Sequence, residues 1–369
     1  MKFTVSQQLL NKTLNTVSKA VTNRTTIPVL KGILLDASSS QVRLAASDLD
    51  FSIEKKIEAS VSEEGSLVLP ARLFCDIIRK LPNADVEIEE KENNTVAVRC
   101  LSSEFTIVGM SAEDFPGMGE INEQDRICFN KTMFRDLIKK TSFAASIDES
   151  RGVITGVLIE MEKDSLSMVA LDGFRMAIAR ETVKNESDKK IIISSRILNE
   201  INKIITDSDD EEDIFFILDS KKAAVVSDQT RIVIRLLEGE FIKYKDILPK
   251  ENQCRLIISR DALLNSIERA SLLAKEGKNN LIKLKIEGNI ITITSRSEEG
   301  NVKETVEAEK SGEDLEIGFN SKYMLDALKV ISDEDISMEF NNSVSPCLVK
   351  PVSGDAYEYL ILPVRISGN

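Results

Sequence analysis

The sequence predicts an α+β fold made of three pseudo-repeated domains, each with two helices packed on a mainly antiparallel sheet. Three observations predict it. A short strand, a capping residue and an amphipathic helix occur in that order three times. A second helix in each repeat carries the same order of basic and acidic residues. Alternating segments typical of half-buried strands separate and follow the helices.

Each repeat begins with a strand and a capped helix. Ser6, Asn130 and Ser259 are typical N-cap residues, and each stands between a short β-type segment and an amphipathic one. The strands are expected at residues 3–5, 127–129 and 256–258, and the helices at residues 7–21, 131–144 and 260–274.

Landmarks in the first two repeats keep one register. An offset of 124 positions separates four pairs of residues: Ser6 and Asn130, Gly32 and Gly156, Asp48 and Asp172, and Arg72 and Arg196. The third repeat follows with small changes in length. Three copies account for the whole chain, and we expect domains at residues 1–122, 123–251 and 252–369.

Alternation of apolar and polar residues predicts the remaining strands. Between the two helices of the repeats, strands are expected at residues 42–47, 51–57, 166–171, 176–180, 281–286 and 290–294. After the second helix, strand pairs are expected at residues 84–89 with 95–100 and 214–218 with 223–226.

The second helix of each repeat has a basic, acidic, basic order at positions i, i+4 and i+7, which places the three side chains on one face. The triplets are Arg72, Asp76 and Arg79; Arg196, Glu200 and Lys203; and Lys322, Asp326 and Lys329. One interpretation is a solvated face with internal ion pairs. The other is a surface for phosphates, because equivalent helices in pseudo-symmetric repeats would point the same way. With a net charge of −13, the protein would bind DNA phosphates only weakly, so it would have to enclose the DNA to remain on it.

The composition is that of a globular protein without the residues that most enzymes use. The 369 residues are 42% hydrophobic and 30% charged, and no apolar run is long enough to span a membrane. The amino terminus lacks the apolar core of a signal peptide, so a cytoplasmic location is expected. Histidine is absent and the five cysteines are scattered, so we expect no catalytic residue, metal site or cofactor.

An acidic run at residues 207–213 leaves an alternative open. Clustered carboxylates could hold Mg²⁺ or Ca²⁺ in a metal-dependent enzyme acting on nucleic acid, although the spacing of an EF-hand is absent. The equivalent segments 82–85 and 332–335 lack this charge density, which favours a solvated loop. A three-domain scaffold that binds no DNA is a further alternative.

Seven short segments carry a family resemblance: MKFTV at residues 1–5, RTTIPVL at 24–30, SDLD at 47–50, DFP at 114–116, LDGFRMA at 171–177, SVS at 343–345 and LPVR at 362–365. In this order they resemble the bacterial DNA polymerase III beta subunit family, the sliding clamps. The resemblance extends over the whole chain.

The resemblance implies a head-to-tail homodimeric ring of six similar domains, with helices around a channel for duplex DNA. It implies a non-catalytic processivity factor that tethers the alpha subunit of the replicative polymerase and is opened by a clamp loader. Other polymerases and repair proteins would bind through short peptides. Arg24 and the six basic residues of the helix faces would then meet the DNA.

The resemblance also implies a hydrophobic pocket for those peptides between the second and third domains. The matching positions are Ile154, Leu171, Gly173, Phe174, Arg175, Met176, Ile242, Ile247, Ser345, Pro346, Leu360, Leu362, Pro363, Val364 and Arg365. Leu171, Phe174 and Ile242 stand where the family often has Thr, His and Pro, and we expect them to alter the shape of the pocket. The sequence pattern alone would place Leu360 and Leu362 in the core.

Four further residues match the subunit contact of the family's ring. They are Phe105, Ile107, Leu272 and Leu273. Without the resemblance, their apolar character would be interpreted as ordinary core packing.

Overall fold

The computed structural model describes residues 1–119, 121, 126–183, 188–206 and 213–366. Over these residues the α-helices are α1 (Gln7–Val17), α2 (Ala71–Lys80), α3 (Lys131–Thr141), α4 (Ser195–Thr206), α5 (Arg260–Ala274) and α6 (Ser321–Leu328). Short 3-10 helices occur at Ser18–Ala20, Pro28–Lys31, Ser142–Ala144, Glu149–Thr155, Tyr244–Asp246 and Lys278–Asn280.

The strands follow the three repeats. The first contains β1 (Lys2–Ser6), β2 (Gly32–Ser38), β3 (Gln41–Ser47), β4 (Phe51–Glu58), β5 (Ser60–Glu63), β6 (Gly65–Pro70), β7 (Asp85–Glu90), β8 (Thr95–Cys100), β9 (Ser103–Val108) and β10 (Met110–Ser111). The second contains β11 (Arg126–Phe129), β12 (Gly156–Glu162), β13 (Ser165–Leu171), β14 (Arg175–Thr182), β15 (Lys189–Ser194), β16 (Ile214–Leu218), β17 (Lys222–Ser227) and β18 (Thr230–Arg235). The third contains β19 (Cys254–Ser259), β20 (Leu281–Glu287), β21 (Ile290–Ser297), β22 (Gly300–Glu307), β23 (Glu309–Gly312), β24 (Leu315–Asn320), β25 (Asp335–Phe340), β26 (Cys347–Pro351) and β27 (Tyr357–Ile361).

The strands and helices predicted from the sequence are confirmed, with small shifts at their ends. The Ser6 hydroxyl accepts a hydrogen bond from the backbone N–H of Leu9, and the Ser259 hydroxyl accepts one from Ala262, so both residues cap their helices. The strands that precede α2 and α6, β6 and β24, are not predicted, because three consecutive residues are buried in each and the alternation is lost.

The chain divides into two compact units, of which the first contains Met1–Lys131 and Glu200–Leu236. Within it α1 packs against α2 and against β3 and β4. Its strands form a five-stranded sheet, ordered β5-β1-β7-β8-β9, and a nine-stranded sheet, ordered β10-β6-β2-β3-β4-β18-β17-β16-β11. Antiparallel pairing of β4 with β18 makes the nine-stranded sheet continuous from the first repeat into the central one.

The second compact unit contains Thr132–Asn199 and Leu237–Asn369. Within it α5 packs against α6 and against β20, β21 and β22. Its sheets are a nine-stranded one, ordered β15-β12-β13-β14-β27-β26-β25-β19-β23, and a four-stranded one, ordered β22-β21-β20-β24. Antiparallel pairing of β14 with β27 joins the central repeat to the third. Because both large sheets cross from one repeat to the next, the strands of the central repeat are divided between the two compact units.

Candidate functional site

Four of the predicted pocket residues lie in one buried apolar cluster of the second compact unit. Ile154, Leu171, Met176 and Leu360 are only 3–7% exposed. The other buried members of the cluster are Leu158, Val169, Ile178, Ile192, Tyr244 and Leu348. The four predicted residues are therefore part of the hydrophobic core, and a partner would reach the residues at the edge of the cluster first.

A tight turn at residues 172–174 joins β13 to β14. Gly173 has a φ of 89°, a left-handed conformation that residues with a Cβ rarely adopt. The Asp172 carboxylate accepts hydrogen bonds from the backbone N–H groups of Phe174 (2.8 Å) and Arg175 (3.0 Å). These bonds fix the turn, and with it the positions of two predicted pocket residues.

Phe174 presents an aromatic surface at this turn. Its side chain is 56% exposed, and its ring stacks on that of Tyr323 in α6, with centroids 6.2 Å apart. Phenylalanine adds an apolar exposed surface where a histidine would add a titratable one. Phe174 therefore gives this edge an exposed apolar surface without a titratable group.

The Arg175 guanidinium lies next to the turn, and its side chain is only 9% exposed. It donates hydrogen bonds to the carboxylates of Asp172 (3.1 Å) and Asp326 (2.6 Å) and to the carbonyl oxygen of Phe143 (2.8 Å). Its charged carbon lies 4.6 Å from the centre of the Tyr323 ring. With these partners, Arg175 links β14, α6 and the 3-10 helix after α3.

The carboxyl-terminal segment continues along the same edge. Met176 pairs with Leu360 between β14 and β27. Beyond β27, the backbone N–H of Leu362 donates to the carbonyl oxygen of Phe174 at 2.9 Å, and that of Val364 donates to Gly318 at 2.8 Å. Leu362, Pro363 and Val364 are half-buried, and Arg365 is exposed.

Two predicted residues precede β26. Ser345 and Pro346 are half-buried, and Leu348, two residues further along, belongs to the buried cluster. The chain connectivity therefore keeps this segment close to the apolar cluster.

The segment 241–248 contributes both an anchor and exposed apolar side chains. Tyr244 belongs to the buried cluster, whereas Ile242 and Ile247 are exposed. The Tyr244 hydroxyl donates a hydrogen bond to the Glu160 carboxylate, which also accepts one from Lys190 at 2.7 Å. Burial by itself raises the pKa of the Glu160 carboxyl, but these hydrogen bonds outweigh it and the pKa lies below its ordinary value. An ionised Glu160 thus anchors Tyr244 and the segment that carries the two isoleucines.

The basic residues predicted to meet DNA are all exposed: Arg24, Arg72, Arg79, Arg196, Lys203, Lys322 and Lys329. In α2 the Arg79 guanidinium donates to Asp76 at 2.5 Å, and in α4 the Lys203 ammonium donates to Glu200 at 2.7 Å. Both are i, i+3 pairs on an exposed helix face. The internal ion pair expected from the sequence is therefore confirmed in these two helices.

The face of α6 differs from the other two. Asp326 pairs with Arg175, and Lys329 pairs with Glu268 of α5 at 3.0 Å. The expected ion pair between Asp326 and Lys329 is therefore wrong, because each of the two has a different partner. The reason is that the poorly exposed Arg175 guanidinium takes the Asp326 carboxylate.

Comparison with known proteins places the whole chain in one family. Three segments match the DNA polymerase III beta subunit: its N-terminal domain at residues 1–119, its central domain at 129–243 and its C-terminal domain at 245–365. The beta sliding clamp of Staphylococcus epidermidis is 37% identical over 376 residues, which cover 99% of both chains. The chain belongs to the DNA polymerase III beta subunit family.

Solved structures of this family have the same fold. The DNA polymerase sliding clamp from Bacillus subtilis superimposes with a TM-score of 0.96 at 34% identity, covering 99% of each chain. A sliding clamp from Pseudomonas aeruginosa, solved bound to griselimycin, superimposes with a TM-score of 0.93 at 27% identity, covering 99% of this chain and 100% of the other. Membership of the beta subunit family confirms the predicted three-domain clamp fold and the predicted role as a non-catalytic sliding clamp in DNA replication.

The four residues predicted to lie at the subunit contact differ in accessibility. Phe105 is exposed on β9, the edge strand of the five-stranded sheet, whereas Ile107 on the same strand is 2% exposed. On α5, Leu272 is exposed and Leu273 is half-buried. Phe105 and Leu272 therefore present the most apolar surface of the four.

The metal alternative finds no support in the part of the chain that the structure describes. Most of the acidic run, residues 207–212, lies outside the described residues. Among the described residues, no group of three or more acidic or cysteine side chains is placed to hold a metal ion. Within the same residues, no helix is long and apolar enough to cross a membrane.

Several residues of the site are not predicted from the sequence. Tyr323, Phe143 and Glu160 support the predicted pocket residues, and Glu268 pairs with a predicted DNA-binding lysine. Each contact joins residues that are far apart in the sequence, so no local periodicity reports it. The one available signal was Asp326, which the repeated helix pattern had singled out for a different partner.

Proposed function

We propose that a dimer of this chain encloses duplex DNA and holds it loosely through the exposed basic faces of α2, α4 and α6. The observation that carries the proposal is the recurrence of these faces in a chain of net charge −13. Lysine and arginine side chains on rigid helices suit the phosphate backbone without reading bases. Because the chain as a whole repels DNA, retention depends on closure of the ring rather than on affinity.

The second part of the proposal is a peptide-binding pocket at the edge of the apolar cluster in the second compact unit. Phe174, Ile242 and Ile247 supply exposed apolar surface, and Leu362 and Val364 supply half-buried surface. Short apolar peptide motifs bind in such grooves, where a few polar groups set their orientation. The alpha subunit of the replicative polymerase, the clamp loader, other polymerases and repair proteins are the expected partners at this pocket.

The third part is the ring itself. The strand β9, at one edge of the five-stranded sheet, exposes Phe105, and α5, which packs against the edge strand β22 of the four-stranded sheet, exposes Leu272. Unpaired strand edges favour pairing with another chain. We place the head-to-tail contact of the ring at these two edges, together with Ile107 and Leu273. Domain boundaries at residues 1–122, 123–251 and 252–369 and a cytoplasmic location complete the proposal.

Retention on circular DNA tests enclosure directly. The protein is first shown to have a solution mass of twice 41.0 kDa, as a dimeric ring requires. It is then loaded onto a nicked circular plasmid with its loader and ATP, and bound protein is measured before and after one restriction cut. We expect stable retention on the circle and rapid loss after the cut, because a ring slides off a free end.

A matched substrate separates enclosure from a preference for circles. Bulky proteins are first bound to the same plasmid on either side of the restriction site. After the cut they block both ends of the linear DNA, which should restore retention. Equal retention on circular and open linear DNA would contradict the proposal. Cleavage of DNA by the protein alone in the presence of Mg²⁺ would instead favour the metal-dependent enzyme.

A further inference from the structure

The last basic residue of each helix face has a carboxylate partner. Arg79 pairs with Asp76 at 2.5 Å, Lys203 with Glu200 at 2.7 Å, and Lys329 with Glu268 at 3.0 Å. All three distances are those of ion pairs. Each repeat therefore presents its last cation already neutralised by an acid.

The third repeat reaches this arrangement by a different route. Asp326, the counterpart of Asp76 and Glu200, is engaged by Arg175 at 2.6 Å. The carboxylate beside Lys329 comes instead from Glu268 on the neighbouring helix α5. In the third repeat the pairing of the last cation thus does not depend on the acidic residue of the repeated pattern, which points to a use for the pairing itself.

Folding stability does not explain these pairs. The side chains of Arg79, Lys203 and Lys329 are 53–60% exposed. Water and salt screen ion pairs at such exposure, and their contribution to stability is small. The same modest free energy weakens a phosphate contact at each of the three faces, because a paired cation must exchange its carboxylate for the incoming phosphate.

We propose that Asp76, Glu200 and Glu268 compete with DNA phosphates for the last cation of each helix face. This competition keeps the contacts between the clamp and the DNA weak and readily exchanged. This inference rests on the proposed DNA-binding role of the helices. Each carboxylate lowers the free energy gained when a DNA phosphate contacts the cation, while the cation itself stays on the helix face. The duplex then moves past the three faces without a fixed set of strong contacts.

The test is a triple variant that removes the three negative charges, Asp76→Asn, Glu200→Gln and Glu268→Gln. The freed cations should hold phosphates more tightly, so the diffusion coefficient of the loaded clamp along DNA should fall severalfold. Escape from open linear DNA should slow in proportion. The salt dependence of that escape should steepen by up to about 0.9 in logarithmic slope for each freed cation.

A matched triple variant controls for total charge. Asp50→Asn, Glu287→Gln and Glu316→Gln remove three other ion-paired carboxylates, whose partners are Arg235, Lys285 and Lys283. The change in net charge is identical, so long-range attraction to DNA changes equally in both variants. We expect this control to diffuse as the wild-type protein does. The single variant Glu200→Gln, with a smaller slowing, serves if the triple variant does not load.

The outcomes separate this inference from the proposed function. A third variant neutralises the first cation of each face, Arg72→Gln, Arg196→Gln and Lys322→Gln. If it leaves loading and diffusion unchanged, the helices do not meet DNA and the proposed function of these faces fails. If it alters diffusion, but the carboxylate variant behaves as its charge-matched control does or diffuses faster than wild type, the competition inference alone is overturned.

Discussion

Asp326 and Glu200 occupy the same position in two repeats but have different surroundings. Glu200 pairs with Lys203, whose side chain is 60% exposed, within one exposed helix face. Asp326 pairs with Arg175, whose side chain is 9% exposed and which also bonds to Asp172 and Phe143. The two carboxylates are similarly accessible, at 23% for Glu200 and 30% for Asp326, so the burial of the basic partner, not the sequence pattern, decides whether such a carboxylate holds the fold or remains available for exchange.

The energetic reason lies in desolvation. An exposed pair loses little when one partner is removed, because water solvates the remaining charge. A poorly exposed guanidinium that loses a carboxylate keeps its charge in a place where water cannot fully replace the partner. Interactions near the proposed pocket should therefore be costly to break, and those on the basic faces should not.

The largest predicted difference is between Asp326→Asn and Glu200→Gln. Asp326→Asn should lower the free energy of unfolding by about 2–4 kcal/mol, less than breaking a fully buried pair costs, because Asp326 is half-buried and Asp172 still contacts Arg175. Glu200→Gln should lower it by less than about 1 kcal/mol. Urea unfolding of the full-length protein, followed by circular dichroism, measures both. Equal losses in the two variants would refute the role assigned to burial.

Much of the local structure could be predicted, because it depends on neighbours in the sequence. The caps at Ser6 and Ser259 and the strands with alternating burial, such as β20, follow from residues a few positions apart. The partner of Asp326 could not be predicted, since Arg175 is 151 positions away and is brought close only by the pairing of β14 with β27. The repeated pattern therefore located the acidic residue correctly but not its role.

The sequence also could not predict which of the candidate site residues are exposed. Met176 and Ile247 are both apolar residues predicted to line the pocket, yet Met176 is buried and Ile247 exposed. Met176 lies on β14, inside the nine-stranded sheet of the second compact unit, in register with Leu360. Ile247, in contrast, directly follows a 3-10 helix. Only the tertiary arrangement distinguishes a predicted pocket residue that is buried in the core from one that is exposed.

The anchor of segment 241–248 provides a second, smaller test of the same comparison. Glu160→Gln keeps a hydrogen-bond acceptor for the Tyr244 hydroxyl but removes the charge that Lys190 contacts. The variant should be less stable than the wild-type protein at pH 7 by about 1–3 kcal/mol. Urea unfolding at a series of pH values measures the difference.

The sign of the pH dependence follows from the lowered pKa of Glu160. Its ionised form stabilises the folded state at every pH above the ordinary value of 4.5, and this contribution is lost as the pH falls through the lowered folded pKa. The gap between wild type and variant should therefore be full at pH 7 and shrink only in acid below pH 4.5. A gap that widens in acid would show that the charge of Glu160 is not what anchors Tyr244.

The smallest effect concerns an exposed side chain of the pocket. Ile247 is 45% exposed and Ile290, on β21, is 50% exposed, so Ile247→Ala and Ile290→Ala remove the same atoms from similarly exposed positions. If peptides dock at the edge of the apolar cluster, Ile247→Ala should weaken binding of a polymerase-derived peptide by about 1 kcal/mol, roughly fivefold. Ile290→Ala should leave the affinity unchanged.

Fluorescence anisotropy with a labelled peptide measures both affinities, and unfolding midpoints should stay close to that of the wild-type protein because neither side chain is buried. Equal affinities for the two variants would place the pocket elsewhere, whereas a loss of affinity accompanied by a loss of stability in Ile247→Ala would mean that this residue supports the fold as Tyr244 does.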